Sequence, residues 1–107
     1  MVFIETPTFT KTITGLLRDD EYRLLQNELT HNPDTGDLIS GGGGIRKIRF
    51  ATRGKGKRGG ARLIYYWQKS KDRIFMLLAF TKAKQSNLDP EQAFLFKLMV
   101  KELGRHG

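Results

Sequence analysis

The sequence contains no cysteine and only two histidines, and these shortages exclude several classes of function. Without cysteine there can be no disulfide framework, zinc–thiolate site, iron–sulfur cluster or thiol nucleophile. His31 stands in a polar turn sequence and His106 in the last two residues, so neither is a good candidate for catalysis. No metal-ligand motif is evident and no nucleotide-binding glycine motif opens a helix. We therefore expect neither a bound metal nor a cofactor.

Long apolar runs are also missing. No stretch of 18 or more apolar residues could span a bilayer, and no hydrophobic core of a signal peptide is visible. We therefore expect a cytoplasmic protein without a membrane partner.

The chain has 107 residues, near the commonest size of one domain, and its 38% of apolar residues is enough to close one core. We expect residues 1–107 to form a single domain.

Acidic residues are few compared with basic ones. There are 19 Lys and Arg against 11 Asp and Glu, which gives a formal net charge of +8 at pH 7. A protein with this charge should bind polyanions, because each contact releases condensed counterions. Nucleic acid, an anionic membrane surface and an acidic protein would all satisfy that requirement, and charge alone does not choose between them.

The order of apolar patterns indicates an α+β fold. The patterns predict an edge strand at 2–4, a helical hairpin that includes 19–29, sequential strands at 45–50, 62–67 and 74–80, and a closing helix at 89–103. The segment 74–80 is almost wholly apolar, which is typical of a strand covered on both faces. This order predicts a small antiparallel sheet with helices packed on it.

Cations lie on the predicted strands rather than in a tail. In 45–50 the strand period of two places Ile48 and Phe50 on one face and Lys47 and Arg49 on the other. Further cations lie on or just past the next two strands, at Arg62, Lys82 and Lys84. Together they could form a concave positive site for a phosphodiester. On composition alone, however, the commoner explanation is the solvated face of an amphipathic sheet.

Such a site would suit RNA cleavage by the adjacent 2′-hydroxyl. That reaction needs a group that takes the hydroxyl proton, positive charge beside the phosphorus, and a proton for the leaving 5′-oxygen. Histidine normally moves the protons. Because this chain lacks a credible histidine, we hypothesise a lysine whose pKa is lowered by neighbouring cations and partial burial.

Other residues could bind RNA without reacting. Residues 53–60 are half glycine and half cation, which fits phosphate contacts and a solvated linker equally well. Tyr65 and Tyr66 are adjacent on one strand and cannot both face the same side, so at most one could stack on a base. We expect Trp67 and Phe80 to lie in the core.

Several blocks of this sequence resemble the HigB branch of the RelE toxin superfamily. The blocks are PDTGDLI at 33–39, GGIRKIR at 43–49, Gly54 and Lys55, GGARLIYY at 59–66, and FTKAK at 80–84 with Leu88. The resemblance extends over nearly the whole chain and implies a RelE-like fold. Members of this family are ribosome-dependent endoribonucleases that cleave mRNA in the decoding site. Each is neutralised by a cognate antitoxin, commonly a DNA-binding protein.

The resemblance also implies roles for individual residues. By motif position, the basic catalytic residues would be Lys47, Arg49, Arg62, Lys82 and Lys84. Residues expected to bind RNA or the ribosome are Arg46, Arg53, Lys55, Lys57, Arg58 and Tyr65. The catalytic tyrosine of some RelE relatives has no match, because the corresponding stretch reads Leu88, Asp89, Pro90. Proton transfer must then differ, or rest on a lysine or on the ribosome.

Two other functions stay open at this point. The same cations could belong to a non-catalytic RNA- or DNA-binding module in which they only position phosphates. A toxin-like fold could also inhibit translation by occupying the ribosome without cutting. The resemblance further implies a monomer in the absence of antitoxin, and no long exposed apolar stripe is evident in the pattern.

Overall fold

A computed structural model describes residues 1–50, 60–81, 85 and 87–105 of the chain. The elements, in chain order, are β1 (Val2–Glu5), α1 (Pro7–Leu16), α2 (Asp19–His31), β2 (Asp37–Leu38), β3 (Arg46–Phe50), β4 (Ala61–Gln68), β5 (Arg73–Thr81) and α3 (Pro90–Arg105). A single 3₁₀ turn, Lys69–Lys71, joins β4 to β5. The predicted α+β class is confirmed. No helix in these ranges is long and apolar enough to cross a membrane.

The strands form one sheet in the order β1-β5-β4-β3-β2. Strands β3, β4 and β5 form the predicted antiparallel meander, and β2 pairs antiparallel with β3. The predicted edge strand is β1, but it pairs with β5 in parallel orientation. The α1–α2 connection carries the chain from β1 at one edge of the sheet to β2 at the other edge.

Helices α1 and α2 cover one face of the sheet. Phe9, Leu25, Leu63 and Tyr65 are all 0% exposed and belong to one apolar cluster between these helices and the strands. Glu5 helps to hold α2 on this side, because its Oε2 accepts a hydrogen bond from the Tyr22 hydroxyl at 2.6 Å. This face of the sheet is therefore closed to solvent over most of its length.

Helix α3 covers the other face. Ile45, Ile64, Leu77 and Val100 form a second, smaller buried cluster, and Phe80 joins it as predicted. The predicted start of the helix at Asp89 is confirmed, because Asp89 Oδ1 accepts the Gln92 backbone N–H at 2.8 Å. The helix continues through Gly104 to Arg105, slightly beyond its predicted end.

The outer side of α3 is more apolar than the sequence pattern suggested. Phe94, Leu95 and Leu98 are between 45% and 57% exposed. They lie on the solvent side because another face of the helix, with Phe96, Met99 and Val100, packs on the second cluster. An exposed apolar stripe is thus present, which removes one of the reasons for expecting a monomer.

Candidate active site

Three of the predicted catalytic cations lie on the same face of the sheet. Lys47 and Arg49 are in β3, and Arg62 is in the neighbouring strand β4. Their neighbours Ile48 and Leu63 belong to the cluster beneath α1 and α2, so the strand alternation directs the three cations to the α3 side. Lys47 and Arg62 are partly buried, whereas Arg49 is exposed. The structure therefore brings these three side chains together as the sequence predicted.

Arg49 and Arg62 are directly opposite each other across the two strands. Side chains in such a pair have Cβ atoms about 4.5–5.5 Å apart, and like charges in this position are destabilising. Within the described ranges, neither guanidinium has a carboxylate within ion-pairing distance. A phosphate group between them would relieve the repulsion, because each guanidinium can donate two hydrogen bonds to its oxygens.

Lys47 lies at the edge of a groove between β2 and the start of α3. The groove has a volume of about 520 Å³, and its walls include Asp37, Ser40, Leu88 and Ala93. The Lys47 ammonium donates a hydrogen bond from Nζ to Asn87 Oδ1 at 2.7 Å. This contact joins the ammonium to the segment before α3, on the same face as the two arginines.

The end of β5 adjoins this surface. Arg62 pairs with Phe80 and Ala61 pairs with Thr81, so β5 ends beside Arg62. Lys82 and Lys84 follow Thr81 closely in the sequence, but both lie outside the described residues. The predicted RNA-binding cations Arg53, Lys55, Lys57 and Arg58 also lie outside them. The roles of all six remain predictions.

Tyr65 does not lie on this surface. The side chain is 0% exposed, and its hydroxyl donates to Pro33 O at 2.8 Å and accepts the Gly36 N–H at 2.9 Å. Burial raises the pKa of the Tyr65 hydroxyl above its ordinary value. No ring face is available for a base, and this burial contradicts the prediction that Tyr65 contacts RNA.

Arg46 helps to hold the same turn. Its Nη1 donates to Asp34 O at 3.1 Å and to Gly36 O at 2.8 Å. Arg46 pairs with Tyr65 across β3 and β4, on the face opposite Lys47 and Arg49. Arg46 therefore supports this turn, and its predicted contact with RNA stays a prediction.

Two residues of this region were missed by sequence reasoning. Tyr66 is half-buried on the α3 side, where its ring stacks on Phe75 with centroids 6.4 Å apart. The alternation that directs Arg62 to this face could have indicated Tyr66 rather than Tyr65. Asn87 carried no local signal, because its contact with Lys47 joins residues 40 positions apart in the sequence.

Comparison with known proteins agrees with this arrangement. A family model described as the RelE toxin of the RelE/RelB toxin–antitoxin system matches residues 11–106. The chain belongs to the RelE toxin family. Its assignment to the HigB branch of that family stays a prediction.

Solved structures show the same fold. A mutant of the Escherichia coli toxin RelE in the free state is similar with a TM-score of 0.56 at 18% identity, over 79% of this chain and 86% of that one. A chain of the intact E. coli RelBE toxin–antitoxin complex is similar with a TM-score of 0.55, also at 18% identity, over 75% of this chain and 94% of that one. The RelE-like architecture expected from the sequence is therefore confirmed.

Proposed function

We propose that this protein is the toxin of a type II toxin–antitoxin pair and a ribosome-dependent endoribonuclease that cleaves mRNA in the decoding site. The observation that supports the proposal is the cluster of Lys47, Arg49 and Arg62 on one face of two adjacent strands. Two like charges directly opposite each other lower stability, so their presence is best explained by a polyanionic substrate. Membership of the RelE toxin family agrees with this proposal.

The proposed reaction is an attack of the 2′-oxygen on the neighbouring phosphorus. The bond from phosphorus to the 5′-oxygen breaks, which leaves a 2′,3′-cyclic phosphate and a free 5′-hydroxyl. Arg49 and Arg62 would stabilise the charge that develops on the phosphoryl oxygens, because paired strands hold the two backbones side by side. Lys47 would move a proton, either from the 2′-hydroxyl or to the 5′-oxygen. Lys82 and Lys84 are further candidates for these roles.

The chemistry of this site supports the proposed dependence on the ribosome. None of the described residues near the three cations is a histidine, so proton transfer at this site would rest on lysine. Such a site gains most from a partner that holds the 2′-oxygen in line with the scissile bond. The ribosome would supply this orientation, and its rRNA phosphates would attract a protein of net charge +8. The activity would then take place in the bacterial cytoplasm.

The proposal includes an antitoxin as partner. A solved structure of the related E. coli protein is a toxin–antitoxin complex. For this chain the net charge of +8 favours an acidic antitoxin segment, because complementary charge speeds association and would cover the cationic face. We expect co-expression of that antitoxin to restore growth to cells that produce the toxin.

The test of the proposal is to incubate the purified protein with a defined mRNA, alone and with programmed ribosomes, and to map new RNA ends by primer extension. We expect new ends only when ribosomes are present, with a 5′-hydroxyl on the downstream fragment. Salt-sensitive binding without new ends would instead support a non-catalytic module. In that case, removal of Lys55, Lys57 and Arg58 should weaken binding, while no strand substitution should be uniquely damaging.

A further inference from the structure

The Lys47–Asn87 contact joins a strand of the active-site face to the segment that precedes α3. The two heavy atoms, Lys47 Nζ and Asn87 Oδ1, are 2.7 Å apart, which is a short hydrogen bond for an ammonium donor. A lysine side chain on a sheet surface otherwise samples many rotamers, and ordering it has an entropic cost. A fixed acceptor at its tip would reduce that cost before the substrate binds.

Asn87 is itself held in place by a chain of hydrogen bonds. Its backbone carbonyl accepts from Gln85 Nε2 at 2.7 Å, and Gln85 Nε2 also donates to Gln92 Oε1 at 2.7 Å. Gln92 in turn belongs to the cap of α3, because its backbone N–H donates to Asp89 Oδ1 at 2.8 Å. The backbone of the residue that contacts Lys47 is therefore anchored to the first turn of a helix.

We propose that Asn87 is a positioning residue for Lys47, an inference that rests on the function proposed above. The chemistry of the acceptor supports it. A neutral amide oxygen orients the ammonium but leaves its full positive charge available to a phosphate. An acidic residue in the same place would form an ion pair, which would neutralise the ammonium and repel the RNA. The site thus adds a neutral acceptor that orients the ammonium, beside the carboxylate-bearing Asp37, which pairs with Lys47 across β2 and β3.

The test is a double-mutant cycle on single-turnover cleavage of ribosome-bound mRNA. We expect Asn87→Ala to lower the cleavage rate at saturating toxin about tenfold, the typical effect of losing one hydrogen bond to a charged group. Lys47→Ala should lower the rate further. The double variant should be no slower than Lys47→Ala, because Asn87 has nothing to position once the lysine is absent.

Two substitutions distinguish orientation from mere packing. Asn87→Gln keeps the amide acceptor and should recover part of the lost rate. Asn87→Asp keeps the shape but adds a charge, so it should raise KM for the programmed ribosome more than Asn87→Ala does. Asn27→Ala, which removes an exposed asparagine on α2, is the matched control and should cleave at the wild-type rate. Urea unfolding of each variant shows that it is folded.

The outcomes also separate this inference from the proposed function. Additive losses in Asn87→Ala and Lys47→Ala would overturn the positioning role while leaving the nuclease intact. A wild-type rate for Asn87→Ala, beside a slow Lys47→Ala, would overturn it in the same way. A wild-type rate for Lys47→Ala would remove Lys47 from the proposed active site and this inference with it.

Discussion

The two faces of the sheet are built from the same strands but are filled very differently. On the α1–α2 side, Leu63 and Tyr65 are 0% exposed, and the polar tip of Tyr65 has two hydrogen-bond partners. On the α3 side, Arg49 and Arg62 meet as an unneutralised pair of like charges within the described structure. Under the proposed function, a single residue step along a strand separates a side chain that stabilises the core from one that binds the substrate, as Leu63 and Arg62 do.

Truncation of a buried side chain on the α1–α2 side of the sheet should have the largest effect on stability. Leu63→Ala removes a side chain that is 0% exposed, and we expect a loss of about 2–5 kcal/mol in the free energy of unfolding. Urea unfolding followed by circular dichroism measures this change. The folded fraction of Leu63→Ala should still cleave at the wild-type rate, and a slower folded fraction would show that the two faces are not independent.

Loss of one hydroxyl on the same face should have a smaller effect. Tyr65→Phe leaves the Pro33 carbonyl and the Gly36 N–H without their partner, and both groups lie beside a buried ring. We expect a loss of about 1–3 kcal/mol in unfolding free energy with unchanged cleavage. Tyr66→Phe on the α3 side is the matched control for stability. An equal loss in the two variants would contradict the buried role assigned to Tyr65.

A residue on the side of the sheet covered by α1 and α2 should also make the free energy of unfolding fall at high pH. Burial, and then the hydrogen bond to Glu5 and the charge of Glu5, raise the pKa of the Tyr22 hydroxyl above its ordinary value. Tyr22 therefore loses its proton at a lower pH in the unfolded state than in the folded state. The stabilisation is complete below the unfolded pKa of about 10 and is lost as the pH rises from there toward the folded pKa. Urea unfolding between pH 9 and about pH 11 should show this decline. Tyr22→Phe should show a shallower one, and an identical slope would contradict the assignment.

The smallest predicted effect concerns the two arginines on the α3 side of the sheet. Arg49→Ala removes one member of the like-charged pair, so we expect the free energy of unfolding to rise by about 0.2–1 kcal/mol. Inorganic phosphate should raise the melting temperature of the wild type more than chloride at equal ionic strength does, and this difference should shrink in Arg49→Ala. A destabilised Arg49→Ala protein would show that the pair is not under repulsion.

Much of this contrast could be predicted from the strand period alone. Alternation placed Lys47 and Arg49 opposite Ile48 and Phe50, and the apolar segment 74–80 indicated a strand buried on both faces. The same period predicted that Tyr65 and Tyr66 face opposite sides of the sheet, but not which of the two is buried. That choice depends on the turn at 33–36, which binds the Tyr65 hydroxyl.

The features that could not be predicted depend on contacts between distant residues. The parallel pairing of β1 with β5 joins residues about 70 positions apart, and nothing in either strand encodes its partner's direction. The Lys47–Asn87 hydrogen bond has the same character. The apolar pattern of α3 does not indicate how much of the helix surface the sheet can cover. The exposure of Phe94, Leu95 and Leu98 could therefore be seen only in the structure.

The most direct test of the account is the single-turnover rate of ribosome-dependent mRNA cleavage by Arg62→Ala, measured beside its unfolding free energy. We expect the rate to fall by at least about 10²-fold, since a preorganised donor to the phosphoryl oxygens is lost. The free energy of unfolding should stay at or slightly above that of the wild type, because a like-charge repulsion is relieved. Cleavage at the wild-type rate by a fully folded Arg62→Ala protein would contradict the claim that the cationic face of this sheet is the catalytic surface.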